Sequence, residues 1–457
     1  MRLPLRSSLL ASVIIGLFSA IILPLQAETL RIDLTSALRL ANEQNTDLAI
    51  QLERVRRAEI DQNLAWYQWL PTLRAGFASA DQTGPLQSTN GLVQPEDRTA
   101  SSRGLGLATV GSGLAPAPGF SLEVDLAKGV FQPLVARQKL QAARAQETKA
   151  RHNLTLEVAA AYYELVQSQR LMIIAREATT NADSLAKTTA NFAAAGEGLK
   201  SDSARAAVES LIQQNDLEAA RIRAAAASGR LVQLLRLTQQ TELQAIDDMI
   251  VPLRLISGEP QLDAMIGQAL ANHPELDRYS ALVKAEEALQ QQQSLGLLLP
   301  KIRASYSDSS YKGGVAGSVS PYTDRRESAV AVYWEVEGFG LSSWARKSQQ
   351  ESWLREAQAQ QSQVEANIIA DVNLALTQYR ASGRQLELLR QAVDHARSSY
   401  RLSQERIFEN QGLPLEALQA MKTLAEVEAM HLSAAAQRNM AQLYLLAATG
   451  NDVGANL

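Results

Sequence analysis

The 457-residue chain contains no cysteine. Disulfides, thiolate metal sites and a cysteine nucleophile are thereby excluded, and the absence suits an oxidising compartment where a stray thiol is a liability. Aromatic residues make up only 5% of the chain and there are four histidines. His152, His273, His395 and His431 stand far apart, without a His-x-x-x-His or Glu-x-x-His spacing to set ligands on one helix face, so no metal site is expected. His273 precedes Pro274 and reads as a turn residue at a helix break. No nucleophile-base pair or phosphate-cradling glycine loop is visible, and neither catalytic residues nor a cofactor is expected. The formal charge is −4, with no basic block to track a phosphate backbone, which argues against nucleic acid as a partner.

What the chain has in quantity is Ala, Gln, Leu, Arg and Glu, the composition of long helices packed through small side chains. The first 27 residues stand apart. Arg2 and Arg6 precede an apolar run from Leu9 to Leu23, and Leu25-Gln26-Ala27 offers a cleavage site, so 1–27 reads as a signal peptide for export. Loss of Arg2 and Arg6 takes the formal charge from −4 to −6.

The remainder says nearly the same thing twice. Leu70-Pro71-Thr72-Leu73-Arg74 returns about 229 residues later as Leu299-Pro300-Lys301-Ile302-Arg303, and Ala41 to Leu48 is matched by Ala269 to Leu276. This divides the mature chain into repeats at 28–255 and 256–457. In each, an apolar-periodic helical stretch stops at the proline, strands follow, and a long helical hairpin closes the unit. The first hairpin turns at Gly196-Glu197-Gly198 and the second at Asn410 to Pro414, so the tips are placed at Gly196, Gly198, Gly412 and Pro414. Pro133 is expected to open the first long helix, Gly383 to interrupt the third, and 81–119 to form a long exposed loop.

The strands alternate. Leu73, Leu122, Val124, Ile302, Ala304, Val330 and Val332 fall on one face, while the other carries Arg74, Glu123, Asp125, Lys301, Arg303, Glu335 and Glu337. Four such strands per chain, each long enough to cross a bilayer at a tilt, suit a barrel with a lipid-compatible exterior and a wet, charged lumen. Trp66, Tyr67, Trp69 and Trp344 would supply an interfacial belt. Four strands cannot close on themselves, because their edges would expose unpaired backbone to lipid; three copies would supply twelve, and a homotrimer is expected.

These residues resemble the TolC-type outer membrane efflux and secretion proteins. The likeness rests on Ala37-Leu38-x-x-Ala41-x-x-x-Asn45-x-x-Leu48, on Leu70-Pro71-x-Leu73 and Leu299-Pro300-x-Ile302 at helix-to-strand junctions, and on paired long arms broken at matched sites. The resemblance implies a mainly α fold with a small β part: a twelve-stranded outer membrane barrel continued into the periplasm by a helical tunnel. It further implies an adaptor protein and an inner membrane transporter as partners in tripartite efflux or type I secretion. It also implies acidic residues narrowing the channel just past the second tip. Glu416 matches the first of these, Gln419 departs from the second, and Asp202 is the first-half counterpart. Both carboxylates sit in a helix's first turn, where a negative charge also offsets amide dipoles. A periplasmic coiled-coil adaptor or scaffold is the alternative, although an adaptor carries one hairpin between compact β domains.

Overall fold

The computed structural model describes residues 29–85, 91–93, 98–105, 119–196, 198–238, 240–247, 249–256, 258–315, 318–408 and 414–454. The signal segment and Gly412 lie outside the described residues.

A short strand, β1 (Thr29–Ile32), leads into α1 (Leu34–Gln44). The Asp33 carboxylate accepts the Ser36 amide at 3.0 Å and caps that helix, which buries Ala37, Leu38 and Ala41. Asn45 then works in both directions. Its amide donates to Ala41 O to finish α1, while its side chain accepts the Asp47 and Leu48 amides to start α2 (Thr46–Trp66). The second half repeats the device with a different residue: His273 closes α5 (Leu262–Asn272) on Ala269 O, and its Nδ1 accepts the Glu275 amide to open α6 (Pro274–Leu295). Both helix pairs end in a single 3-10 turn, Tyr67–Trp69 and Gly296–Leu298, before the proline.

Strands follow: β2 (Thr72–Ala75), β3 (Phe77–Gly84), β4 (Arg98–Leu105) and β5 (Phe120–Asp125) in the first half, β7 (Lys301–Val315), β8 (Ser318–Val319) and β9 (Thr323–Tyr333) in the second. The stretch 81–119 is therefore not all loop, since β3 runs to Gly84 and β4 lies within it. The lower part of β7 pairs with β5 and the upper part with β4, so β4 and β5 act as one strand whose chain departs after Leu105 and returns at Gly119. In the same way β2 pairs β5 and β3 pairs β4, with a break at Gly76, whose amide donates to Gly119 O at 2.9 Å. The sheet is thus a four-stranded antiparallel meander in spatial order β2/β3, β5/β4, β7, β9. Gly119 is required at the re-entry: a Cβ there would stand 2.3 Å from Leu105 O and 2.7 Å from Tyr306 O.

Four long helices complete the chain. α3 (Leu126–Ala195) and α4 (Lys200–Leu234) form one hairpin, α7 (Leu341–Phe408) and α8 (Pro414–Ala448) the other. The 70 residues of α3 span about 105 Å at the α-helical rise. It begins earlier than its proline suggests. Asp125 caps it through the Lys128 amide at 3.1 Å, leaving Pro133 inside the helix opposite Gly129, which lacks a side chain because the Trp69 ring lies against it. Gly196, at φ +80°, terminates α3 in the left-handed conformation. Gly383 does not interrupt α7; it gives room to the Arg438 guanidinium, which would lie 3.3 Å from an added Cβ.

The principal core lies midway along the arms, where α1, α3, α4 and α8 enclose Tyr162, Leu165, Leu231, Leu235, Leu243 and Leu443. β1 pairs there in parallel with β6 (Glu242–Ala245). Side-chain amides from both hairpins hold the backbone that follows the first one. Gln169 donates to Leu243 O and accepts Ala245 N, while Asn439 and Gln442 do the same for Val251, Leu253 and Leu255. A smaller cluster, Ala182, Ala206, Leu418 and Met421, joins the two hairpins further out along the arms.

Candidate functional site

In the lower part of the sheet, next to the helices, register places the charged residues on one face. Glu123 stands opposite Arg303, Asp125 opposite Lys301, and Lys301 opposite Tyr333. Arg74 reaches the Glu123 carboxylate at 3.1 Å, Arg303 Nε donates to the same oxygen at 2.8 Å, and the Arg303 guanidinium continues to Tyr333, donating to its hydroxyl at 3.2 Å. One connected ladder therefore crosses all four strands. Lys301 pairs with Glu335 just beyond β9 and lies 3.9 Å from Asp125. Of the seven lumen residues expected from sequence, six join this face. Glu337 falls in the 3-10 turn Glu337–Gly340 after the strand, and its side chain lies outside the described residues. Tyr333 was not anticipated; its alternation was visible, but nothing in the sequence announces a hydroxyl that completes an arginine's contacts.

Cations and anions on the ladder balance, with Arg74, Lys301 and Arg303 against Glu123, Asp125 and Glu335. A wall of paired charges presents a polar, hydrated surface without a strong net field. Half-exposed pairs of this kind stabilise by only about 0–1 kcal/mol each. Their main effect is to make this face incompatible with lipid.

The opposite face is apolar and uncovered: Leu73, Phe77, Val330 and Val332 are all more than half exposed. It ends at its lower edge in Trp69, Leu298 and Trp334, the last donating its indole N–H to Leu298 O. No helix among the described residues is long and apolar enough to cross a membrane.

At the far end of the arms, Gly196 and Gly198 flank the first turn and α4 begins with Asp202 in its first turn. Pro414 starts α8, with Glu416 in the first turn. Arg406 of α7 holds Glu416 at 3.0 Å across the tip, both side chains being about half exposed. Ten residues of separation across a turn gave no periodic signal for that pair. Gln419 lines a groove of about 450 Å³ between α4 and α8, together with Arg205, Val208, Glu209 and Lys422. Asp202 and Glu416 precede the groove-lining residues on α4 and α8, and only Glu416 has an ion-pair partner among the described residues.

The comparisons with known proteins accord with this geometry. Residues 265–451 match the family described as outer membrane efflux protein. No curated protein matches the chain. Among solved structures, the outer-membrane channel OprN superposes with a TM-score of 0.72 at 17% identity, covering 92% of this chain and 90% of that one. The outer membrane protein VceC of Vibrio cholerae gives 0.69 at 14% identity, with 92% and 96% covered. The MtrE channel of Neisseria gonorrhoeae, in its open state, gives 0.68 at 19% identity, with 92% and 89% covered. Residues 265–451 thus match the outer membrane efflux protein family in sequence, and the chain shares over nearly its whole length the fold of these outer membrane channels.

Proposed function

We propose that the protein is the outer membrane duct of a tripartite efflux or type I secretion system, a passive homotrimeric conduit with no catalytic step of its own. One observation carries this reading. A four-stranded sheet with one oily and one charged face keeps both outer edges, on β2/β3 and on β9, unpaired among the described residues. In lipid such edges must be satisfied, and pairing β9 of one copy with β2/β3 of the next, threefold, closes twelve strands without leaving any. The repeats 28–255 and 256–457 then each contribute two strands and one hairpin to a common tube.

The exposed apolar stripes on the arms, Val208, Leu211 and Ile222 on α4 and Leu374 and Leu388 on α7, fit this assembly and the docking of a periplasmic adaptor and inner membrane transporter. The coiled-coil adaptor alternative gains nothing from the structure, because the strands form one open meander rather than compact domains beside a single hairpin.

We assign the constriction to the tip, with Glu416, Asp202 and Gln419 facing the passage. Glu416→Ala is expected to raise single-channel conductance in planar bilayers; an unchanged conductance would remove Glu416 from the gate. Heat-resistant trimers in outer membrane fractions test the assembly itself, and a freely soluble monomer would sink it.

A further inference from the structure

The oily exterior of the sheet stops abruptly. On β7 the outward residues run Ile302, Ala304, Tyr306 and then Asp308, Ser310, Lys312; on β9 they run Val332, Val330, Ser328 and then Arg326 and Asp324. From Trp334 to Arg326 is eight residues, about 26 Å along the strand and about 20 Å along a barrel axis at ordinary tilt. That height is close to the apolar band of an outer membrane barrel, so Asp308 and Arg326 stand at its outer rim, where hydrocarbon gives way to headgroups.

Above the rim, outward charges are distributed unevenly. Asp308 is engaged by Arg326 at 3.1 Å, and the Asp324 carboxylate accepts the Ser310 hydroxyl at 2.7 Å. Arg103, opposite Ser310, and Lys312, one outward position higher, have no carboxylate within ion-pair distance among the described residues; Asp81, outward on β3, lies a strand away from Lys312. Both cations converge on one ring: the Arg103 guanidinium lies 4.2 Å and the Lys312 ammonium 5.9 Å from the centre of Tyr322. An aromatic ring with two exposed cations beside it, just above the hydrocarbon edge, complements a phosphorylated sugar, which offers anionic oxygens to the cations and C–H groups to the ring.

We infer that Arg103, Lys312 and Tyr322 form an exterior site for the phosphorylated glucosamine headgroup of an outer-leaflet glycolipid, one site per chain. This rests on the outer membrane channel reading, and it assigns the barrel a bound lipid rather than a lipid environment only.

The test uses the purified full-length protein in detergent, with native mass spectrometry and thermal shift as readouts and bisphosphorylated lipid A as the probe. Wild type is expected to retain lipid A and to be stabilised by it, with affinity falling as salt rises. The R103Q/K312Q variant should bind at least about tenfold more weakly, R103K/K312R should restore binding, and fully dephosphorylated lipid A should bind both forms equally poorly. Equal binding by wild type and R103Q/K312Q, or equal affinity for the dephosphorylated lipid, overturns the site. Conductance in planar bilayers is measured on the same preparations. Conducting trimers that ignore lipid A reject this inference alone, whereas non-conducting wild type rejects the channel reading beneath it.

Discussion

His152, buried, and His273, half-buried, show how much a single side chain can set. Burial pushes both imidazoles below the ordinary histidine range. His152 faces Arg151 and Glu147 of α3 and Asp452 of the tail; His273 faces Lys149 of α3, Glu275 of α6, Asp371 of α7 and His152 itself. The unfolded chain takes up protons as pH falls through about 6.5, while the folded chain resists until lower pH, so stability is complete at neutral pH and declines on acidification below about 6.5. Replacing His152 by Gln and His273 by Asn, the residue that performs the same double cap at position 45, should flatten the difference in melting temperature between pH 7.5 and pH 5.5. An undiminished difference would place the acid sensitivity elsewhere. Gln442 makes a second residue-scale case. It is 1% exposed and holds both Leu253 O and Leu255 N, so Gln442→Leu should cost about 1–3 kcal/mol in thermal unfolding.

Among elements, the strands carry the sharpest expectation, because adjacent residues of β9 lie on faces of opposite character. Val330 is on the oily face and Ala329 on the charged one, opposite Ser305. Val330→Arg should cost about 2–4 kcal/mol and reduce outer membrane assembly, while Ala329→Arg should leave assembly intact and lower conductance. Equal effects at both positions would contradict the two-faced sheet. The same alternation made β7 and β9 legible from sequence, and Pro71, Pro274 and Pro300 marked helix breaks. Other features were hidden for physical reasons. β4 alternates small and polar residues, Arg98-Thr99-Ala100-Ser101-Ser102-Arg103, so no oily face announces it, and its pairing depends on β7, some 200 residues away. β1 and β6 are four residues each, too short for a period to show, and they find each other only through the folded core. Pro133 looked like a helix start because the compensating choice, Gly129 beneath Trp69, depends on a contact absent from any local window. The charged face was readable residue by residue, but the Arg406 to Glu416 pair and the Tyr322 stack belong to tertiary geometry.

For the molecule as a whole, the balance of forces favours assembly over solitude. A lone chain leaves Phe77, Val330, Leu211, Ile222 and Leu388 exposed, far more apolar surface than a soluble monomer tolerates, and two sheet edges with them. Trimerisation would cover the arms' stripes and both edges together, so the barrel and the tunnel should form or fail as one. The expected observation is a single loss of the trimer band on heating in detergent, without a separate monomer that retains sheet by circular dichroism.

The excursion between Leu105 and Gly119 has its own consequence. Each half of that wall stave is zipped to β7 by its own ladder, Arg98–Leu105 to 308–315 and Phe120–Asp125 to 301–306. A polypeptide severed within 106–118 should therefore hold its shape as two nested fragments that travel together until boiled, which makes this segment a natural place to splice in a foreign peptide without shifting a single rung.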